Sequence, residues 1–181
     1  MKATPTPLKD CFLLEIDQKG DDRGFFMESF NQERLYKELG IHFEIKQVNF
    51  AGSSKNVLRG LHYQDAPFAQ SKLVGVTRGS VLDVVVDIRK NSPTYLQHFK
   101  AILDRPNLLL MVPPGFAHGY YSLEDNTLFY YFVDAFYSPS HEQGILYNDT
   151  DLGIDWELIG QSIVSNKDLN QPKLTEVKNH F

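Results

Sequence analysis

The sequence predicts an all-β domain, a closed barrel or a two-sheet jelly roll with a few short helices. Three observations carry that expectation. Apolar residues fall in short runs rather than in long helical stripes. Turn formers separate most of the runs. Thirteen Phe, nine Tyr and one Trp make up 13% of the 181 residues, an enrichment that favours pleated, half-buried surfaces. In order, the runs are 12–16, 24–30, 43–50, 57–63, 72–77, 80–88, 98–103, 108–112, 118–123, 127–133 and 144–147. Asp21-Asp22, Asn91-Ser92-Pro93, Pro113-Pro114-Gly115 and Glu124-Asp125-Asn126 supply turns between them. Arg78-Gly79, between two Val-rich runs, predicts a tight hairpin. One helix is expected where Asn31 can cap, Glu33 sits in the first turn, Leu35 and Leu39 share a face, and Gly40 stops the chain. Beyond Asp149 the mixture of polar and apolar residues predicts short helical turns and a tail. No repeat of solenoid or propeller length occurs. Residues 1–181 read as one domain, with 150–181 packing on the barrel as a tail.

Composition narrows the function. Lys and Arg total 18 against 23 Asp and Glu, a formal net charge of −5. Nucleic acids and anionic membranes are recognised by clustered excess cations, so neither is expected as a partner. No apolar run approaches the ~20 residues of a membrane helix. The opening MKATPTPLKD lacks the apolar region of a secretory signal, and a cytoplasmic location is the expectation. The single Cys11 offers neither an internal disulfide nor a thiolate cluster.

Three segments set polar residues into apolar strands. In NVLRGLHYQ, parity puts His62 and Gln64 on one side. Arg59 points the other way unless Gly60 marks a bulge. In QSKLV and the following VLDVVVDI, Lys72 stands at a strand entry, where a lysine commonly snorkels to solvent. Asp83 and Asp87 share a face there, either as exposed carboxylates or as an interior polar cluster. In PPGFAHG a rigid turn delivers His118 to the next strand.

The P-x-G-x-x-H turn and the expected fold resemble the metal-binding cupins. Their first motif needs His-x-His and a following Glu, whereas Gly60, His62 and Gln64 occupy the corresponding positions here. Lys72 stands near the place of the acid ligand. A lysine and an arginine repel a dication, and two imidazoles leave its coordination incomplete. No catalytic metal and no cofactor are therefore expected. Neither a G-x-S-x-G elbow nor a G-x-G-x-x-G loop is present. His, Arg, Lys, Asp and Tyr together suit proton transfer beside a carbonyl: a base removes the α-proton, cations hold the enolate oxygen, and an acid reprotonates the opposite face.

Longer stretches carry a family resemblance. GDDRGFFMES, NVLRGLHYQ, QSKLV, DVVVDIRKNSPT, PPGFAHG, FYSPSHEQG, NDTDLGIDW and SNKD follow one another in the order found in dTDP-4-dehydrorhamnose 3,5-epimerases. These are metal-free cupin-type jelly rolls of nucleotide-sugar metabolism. The resemblance implies an isomerase inverting C3 and/or C5 of a nucleotide-linked 4-keto-6-deoxy sugar, with dTDP as the default nucleotide. His62 matches the general base, Asp168 the carboxylate that orients it, and Tyr131 the proton donor. Because Phe129, Tyr130 and Tyr131 are adjacent, parity alone selects the ring that faces the site. Lys72 and Arg59 match positions near the C4 carbonyl and the phosphates, and His118 a sugar contact. Gln47 and Asn49 match a base- and sugar-contacting pair, and Tyr137 a ring stacked on thymine. Glu142 and Lys167 match further binding positions. Arg23 and Glu28 resemble nucleotide-binding residues that reach across from a neighbouring subunit, with Phe26 adding an apolar wall. The resemblance thus implies a homodimer with exchanged N-terminal strands. Asp83 and Arg89 read as structural charges. Phe132, Val48 and Tyr147 depart from a frequent lysine, acid and tryptophan, departures that bear on which sugar fits. A single-carbon epimerase, a 3,4-ketoisomerase and a non-enzymatic sugar-binding cupin are the alternatives, and retention of His62 with Asp168 weighs against the last.

Overall fold

The computed structural model describes residues 1–158, 160–178 and 181. Strands β1 (Lys2–Pro5), β2 (Phe12–Glu15), β3 (Gln18–Asp21) and β4 (Gly24–Met27) precede helix α1 (Gln32–Leu39). Then come β5 (Gln47–Ser53), β6 (Val57–Gln64), β7 (Lys72–Arg78) and β8 (Val81–Asp87). After these follow β9 (His98–Leu103), β10 (Leu108–Val112), β11 (Phe116–Ser122) and β12 (Thr127–Val133). The remaining elements are β13 (Glu142–Gly144), β14 (Ile163–Val164), helix α2 (Asn166–Leu169) and a 3₁₀ turn at Leu174–Glu176.

The first large sheet runs β1-β2-β10-β7-β12-β5 and the second β13-β6-β11-β8-β9, with β14 added to β6 in parallel. β3 and β4 form a separate hairpin. Side chains alternate across each strand, so both sheets have two faces to cover. Val74, Val76, Leu110 and Phe129 of the first sheet pack against Val81, Val85, Leu103 and Tyr120 of the second, making the inner core. On the outside of the first sheet, Leu35 of α1 and Phe43 cover Leu73, Leu109 and Tyr130. On the outside of the second, Ile145, Leu152 and Trp156, with Val164 and Leu174, cover Leu58, Leu82 and Val84. β8 is consequently buried along both faces. The expected jelly roll is present, and every strand pairing in it except β14–β6 is antiparallel.

Several local expectations are corrected. Arg78-Gly79 does not make a hairpin: β7 bonds β10 and β12, whereas β8 bonds β11 and β9. The chain crosses from one sheet to the other there, because both edges of each strand are filled from elsewhere. Gly79 makes the crossing with φ 77° and lies so close to Thr127 that a Cβ would sit 2.3 Å from its Oγ1. β1, absent from the sequence reading, is an edge strand ending at Pro5, where a missing N–H is tolerated. The run expected at 144–147 pairs instead over Glu142–Gly144. α1 is as expected: Asn31 Oδ1 accepts from the Arg34 N–H at 3.0 Å, and Gly40 ends the helix at φ 68°.

A bulge lies where β6 crosses β11. His62 pairs with His118, but Arg59 pairs with Tyr120, so three steps on β6 match two on β11. Gly60 supplies the extra residue at φ 127°, and a Cβ there would fall 2.6 Å from the Gly119 Cα. Strained backbone and backbone overlap act together at this point. Gly60→Ala is expected to lower unfolding free energy by about 3 kcal/mol. Gly52→Ala, on an open stretch of β5, should stay within about 1 kcal/mol of the parent. Denaturant unfolding monitored by circular dichroism compares the two.

Candidate active site

A cavity of about 720 Å³ opens between the inner faces of β5, β7 and β12 on one side and β6 and β11 on the other. Its floor is aromatic: Tyr120 stacks on Phe129 at 4.2 Å, and His118 lies against the same ring at 6.0 Å. The bulge at Gly60 resets the alternation of β6, so that Arg59 and His62 both line the cavity.

His62 meets Asp168 across 106 positions of the chain. Parallel pairing of Ile163 with Val57 and Val164 with Leu58 brings the tail alongside β6. Ser165 then caps α2, accepting from the Asp168 N–H at 3.1 Å. Asp168 Oδ1 lies 2.6 Å from His62 Nε2, and Oδ2 accepts from the Gly60 N–H at 3.4 Å. Burial pushes the Asp168 carboxyl up, but the His62 hydrogen bond and charge, the Gly60 N–H and Ser165 outweigh it, and its pKa is lowered overall. A carboxylate only accepts, so in the neutral imidazole the hydrogen sits on Nε2 and Nδ1 carries the lone pair. That is the arrangement of a base.

A second imidazole–carboxylate pair lies beside it. His118 Nε2 is 2.8 Å from Asp83 Oδ2, and Asp83 is fully buried. Asp87 is equally buried but turns to Arg89, Ser92 and Thr94. The two acids are therefore interior, yet belong to separate clusters. Lys72 faces the cavity from β7. Burial pushes its ammonium down to about 8, against the opposing pull of Asp83 and Glu142.

On β12, which adjoins β7 and faces β6 across the cavity, Phe129 and Tyr131 point inward while Tyr130 and Phe132 pack outward. Parity thus selects Tyr131. Burial, then Tyr120 and Glu142, raise its phenol above the usual range, with Arg59 pulling the other way. Tyr131 keeps its proton at neutral pH.

The rim is a chain of contacts. Lys167 Nζ lies 2.6 Å from Glu142 Oε2, which also accepts from Tyr137 Oη at 2.8 Å. Burial raises the Glu142 carboxyl, but hydrogen bonds from Lys167 and Tyr137 and the nearby Lys167 and His62 charges bring it below its ordinary value. Gln47 accepts from the Tyr137 N–H at 3.1 Å and donates to Asn49 Oδ1 at 2.8 Å.

A family model described as dTDP-4-dehydrorhamnose 3,5-epimerase matches residues 5–176. The Shigella flexneri dTDP-4-dehydrorhamnose 3,5-epimerase is 43% identical, with 97% of both chains covered. The chain belongs to the dTDP-4-dehydrorhamnose 3,5-epimerase family. The crystal structure of the Elizabethkingia anophelis member has a TM-score of 0.94 at 41% identity, covering 99% of both chains. The Legionella pneumophila enzyme, solved in complex with dTDP-4-keto-L-rhamnose, has a TM-score of 0.93 at 42% identity, covering 97% of this chain and 94% of its own.

Eleven of the residues singled out from the epimerase resemblance line this one cavity: Gln47, Asn49, Arg59, His62, Lys72, His118, Tyr131, Tyr137, Glu142, Lys167 and Asp168. Arg23, Phe26 and Glu28 do not. Arg23 and Phe26 stand out on the β3–β4 hairpin, Phe26 at 72% exposure, and the Arg23 guanidinium is held by Asp21. Glu28 lies 3.6 Å from Arg34. The departures from the family pattern lie outside the cavity. Phe132 and Val48 are cross-strand partners, and Phe132 packs on Phe30 at 5.9 Å on the outer face. Tyr147 packs on Trp156 in the outer layer of the second sheet. Sequence reasoning missed Tyr120 and Ser53. Tyr120 was within reach, being two positions beyond His118 on an alternating strand. Among the described residues, no group of three or more His, Cys, Asp or Glu converges to hold a metal, and no helix is long and apolar enough to cross a membrane.

The lowered pKa of Asp168 fixes the sign of its acid dependence. Its contribution to stability is complete above the ordinary carboxyl value of 3.8 and is lost as pH falls through the lower folded value. Asp168→Asn should cost about 2 kcal/mol at pH 6, with the gap to the parent closing in strong acid. Urea unfolding across that pH range measures it.

Proposed function

We propose that the protein is a cofactor-independent epimerase acting at C3 and C5 of dTDP-4-dehydro-6-deoxy-D-glucose, yielding dTDP-4-dehydro-L-rhamnose. The observation that carries this reading is the placement of the His62–Asp168 pair and the Tyr131 phenol on facing sheets of a single cavity. The complex of the Legionella relative with dTDP-4-keto-L-rhamnose supports the choice of sugar. His62 Nδ1 takes the proton from the carbon beside the C4 ketone. The C–H electron pair becomes the C=C bond of an enolate, and the carbonyl π pair moves onto O4. Lys72 holds the developing charge on O4, and Asp168 stabilises the imidazolium formed. Tyr131 then delivers a proton to the opposite face, the ketone re-forms, and the configuration is inverted. C3 and C5 both flank C4, so one base and one acid serve both once His62 has passed its proton to solvent and Tyr131 has taken one back.

Binding is divided along the cavity. Arg59 takes the diphosphate, and His118, held by Asp83, contacts the sugar. Gln47 and Asn49 take the nucleoside, over which Tyr137 stacks, and Glu142 and Lys167 close the rim. The exposed Arg23, Phe26 and Glu28 serve the site of a second copy in a homodimer, in which the N-terminal strands exchange. The reaction belongs to rhamnose supply for cell-surface polysaccharide and runs in the cytoplasm.

Incubation with the 4-keto sugar in D2O, read by NMR, tests the assignment. The parent should incorporate deuterium at C3 and C5, and His62→Ala should reduce both exchange and inversion by about 10²- to 10⁴-fold. Tyr131→Phe should retain part of the exchange while inversion is suppressed. Exchange that survives loss of His62 would refute the base. A pH profile probes Lys72 separately. Its ammonium is charged below about 8, so kcat/KM should fall as pH rises past that value. Lys72→Arg, charged throughout, should lack that limb.

A further inference from the structure

Arg59 is held by a short hydrogen-bonded chain that reaches across the two sheets. Its Nε lies 3.3 Å from Ser53 Oγ, and one Nη donates to the Gly52 carbonyl at 3.1 Å. Ser53 Oγ lies 2.9 Å from Tyr120 Oη, and both residues are buried. A guanidinium only donates, so Ser53 Oγ accepts from Arg59. Ser53 Oγ has a second lone pair, so either hydroxyl can donate across its contact with Tyr120 Oη. Tyr120, unlike Ser53, lines the cavity together with Arg59, and donation by Ser53 leaves the phenolic hydrogen available there. Its ring is fixed by the stack on Phe129 at 4.2 Å.

Donation from Arg59 to Ser53 is fixed, and donation from Ser53 on to Tyr120 is the order that turns a hydrogen toward the cavity. We infer that the Tyr120 hydroxyl and the remaining Arg59 N–H groups form a paired-donor subsite for a phosphate oxygen, with Ser53 as the positioning residue. The inference rests on the reading of Arg59 as the diphosphate contact. A cation alone attracts an anion without fixing its place. A neutral donor locked to that cation through a buried hydroxyl adds direction.

Binding of dTDP by calorimetry and of thymidine by NMR titration tests the subsite. Tyr120→Phe keeps the ring and removes the hydroxyl; Ser53→Ala removes the link. Each should weaken dTDP about tenfold while leaving thymidine within about twofold. The double variant should lose no more than the larger single, as expected of groups acting as one unit. Equal losses for both ligands, no loss for dTDP, or additive losses would overturn the inference. Arg59→Gln separates the two levels. If it weakens dTDP while the Ser53 and Tyr120 variants do not, the subsite alone falls. If it leaves dTDP unaffected, the diphosphate assignment falls and takes the subsite with it.

Discussion

A 2.6 Å contact between His62 Nε2 and Asp168 Oδ1 joins residues 106 positions apart, and the cavity takes its chemical character from it. An imidazole in a strand has no fixed tautomer until something claims one of its nitrogens. A buried carboxylate needs compensating donors. Each meets the other's need here, the Gly60 N–H adds a second donor to the Asp168 carboxylate, and Ser165 accepts from the Asp168 N–H. The same short segment of β6 thus presents the imidazole, receives the tail strand, and donates a backbone hydrogen to the acid.

Charge in the cavity differs from charge on the whole molecule. The chain carries a net −5, yet the acids around the cavity are committed: Asp168 to His62, Asp83 to His118, Glu142 to Lys167 and Tyr137. Among the described residues, Arg59 and Lys72 have no carboxylate within ion-pairing distance. Polyanions need a broad basic surface. A small anion needs only two cations, and Lys72 and Arg59 both line the cavity, Lys72 half-buried and Arg59 exposed.

Much of this arrangement was legible in the sequence, and what was not has a common cause. Most strands of the two sheets and the caps of α1 follow from alternation and local turn chemistry, whereas Tyr131 was singled out by the family resemblance and its inward side by parity. The bulge at Gly60 was posed as a condition on Arg59, and the register slip against β11 meets it. The crossover at Arg78-Gly79 was misread because Gly between two Val-rich runs looks the same whether the strands pair with each other or with strangers. The edge strand ending at Pro5 and the shift of the last expected run to Glu142–Gly144 likewise depend on partners far along the chain. Ser53 and Tyr120 escaped notice because a serine and a tyrosine in separate strands announce nothing until their oxygens meet.

Placing Asp168 in α2, after all twelve strands of β1 to β12, gives synthesis a definite order. A nascent chain can close both sheets, bury its inner core and shape most of the void before the carboxylate has left the ribosome. Until then His62 lacks the carboxylate that selects its tautomer. Assembly of the container precedes the pairing of its imidazole.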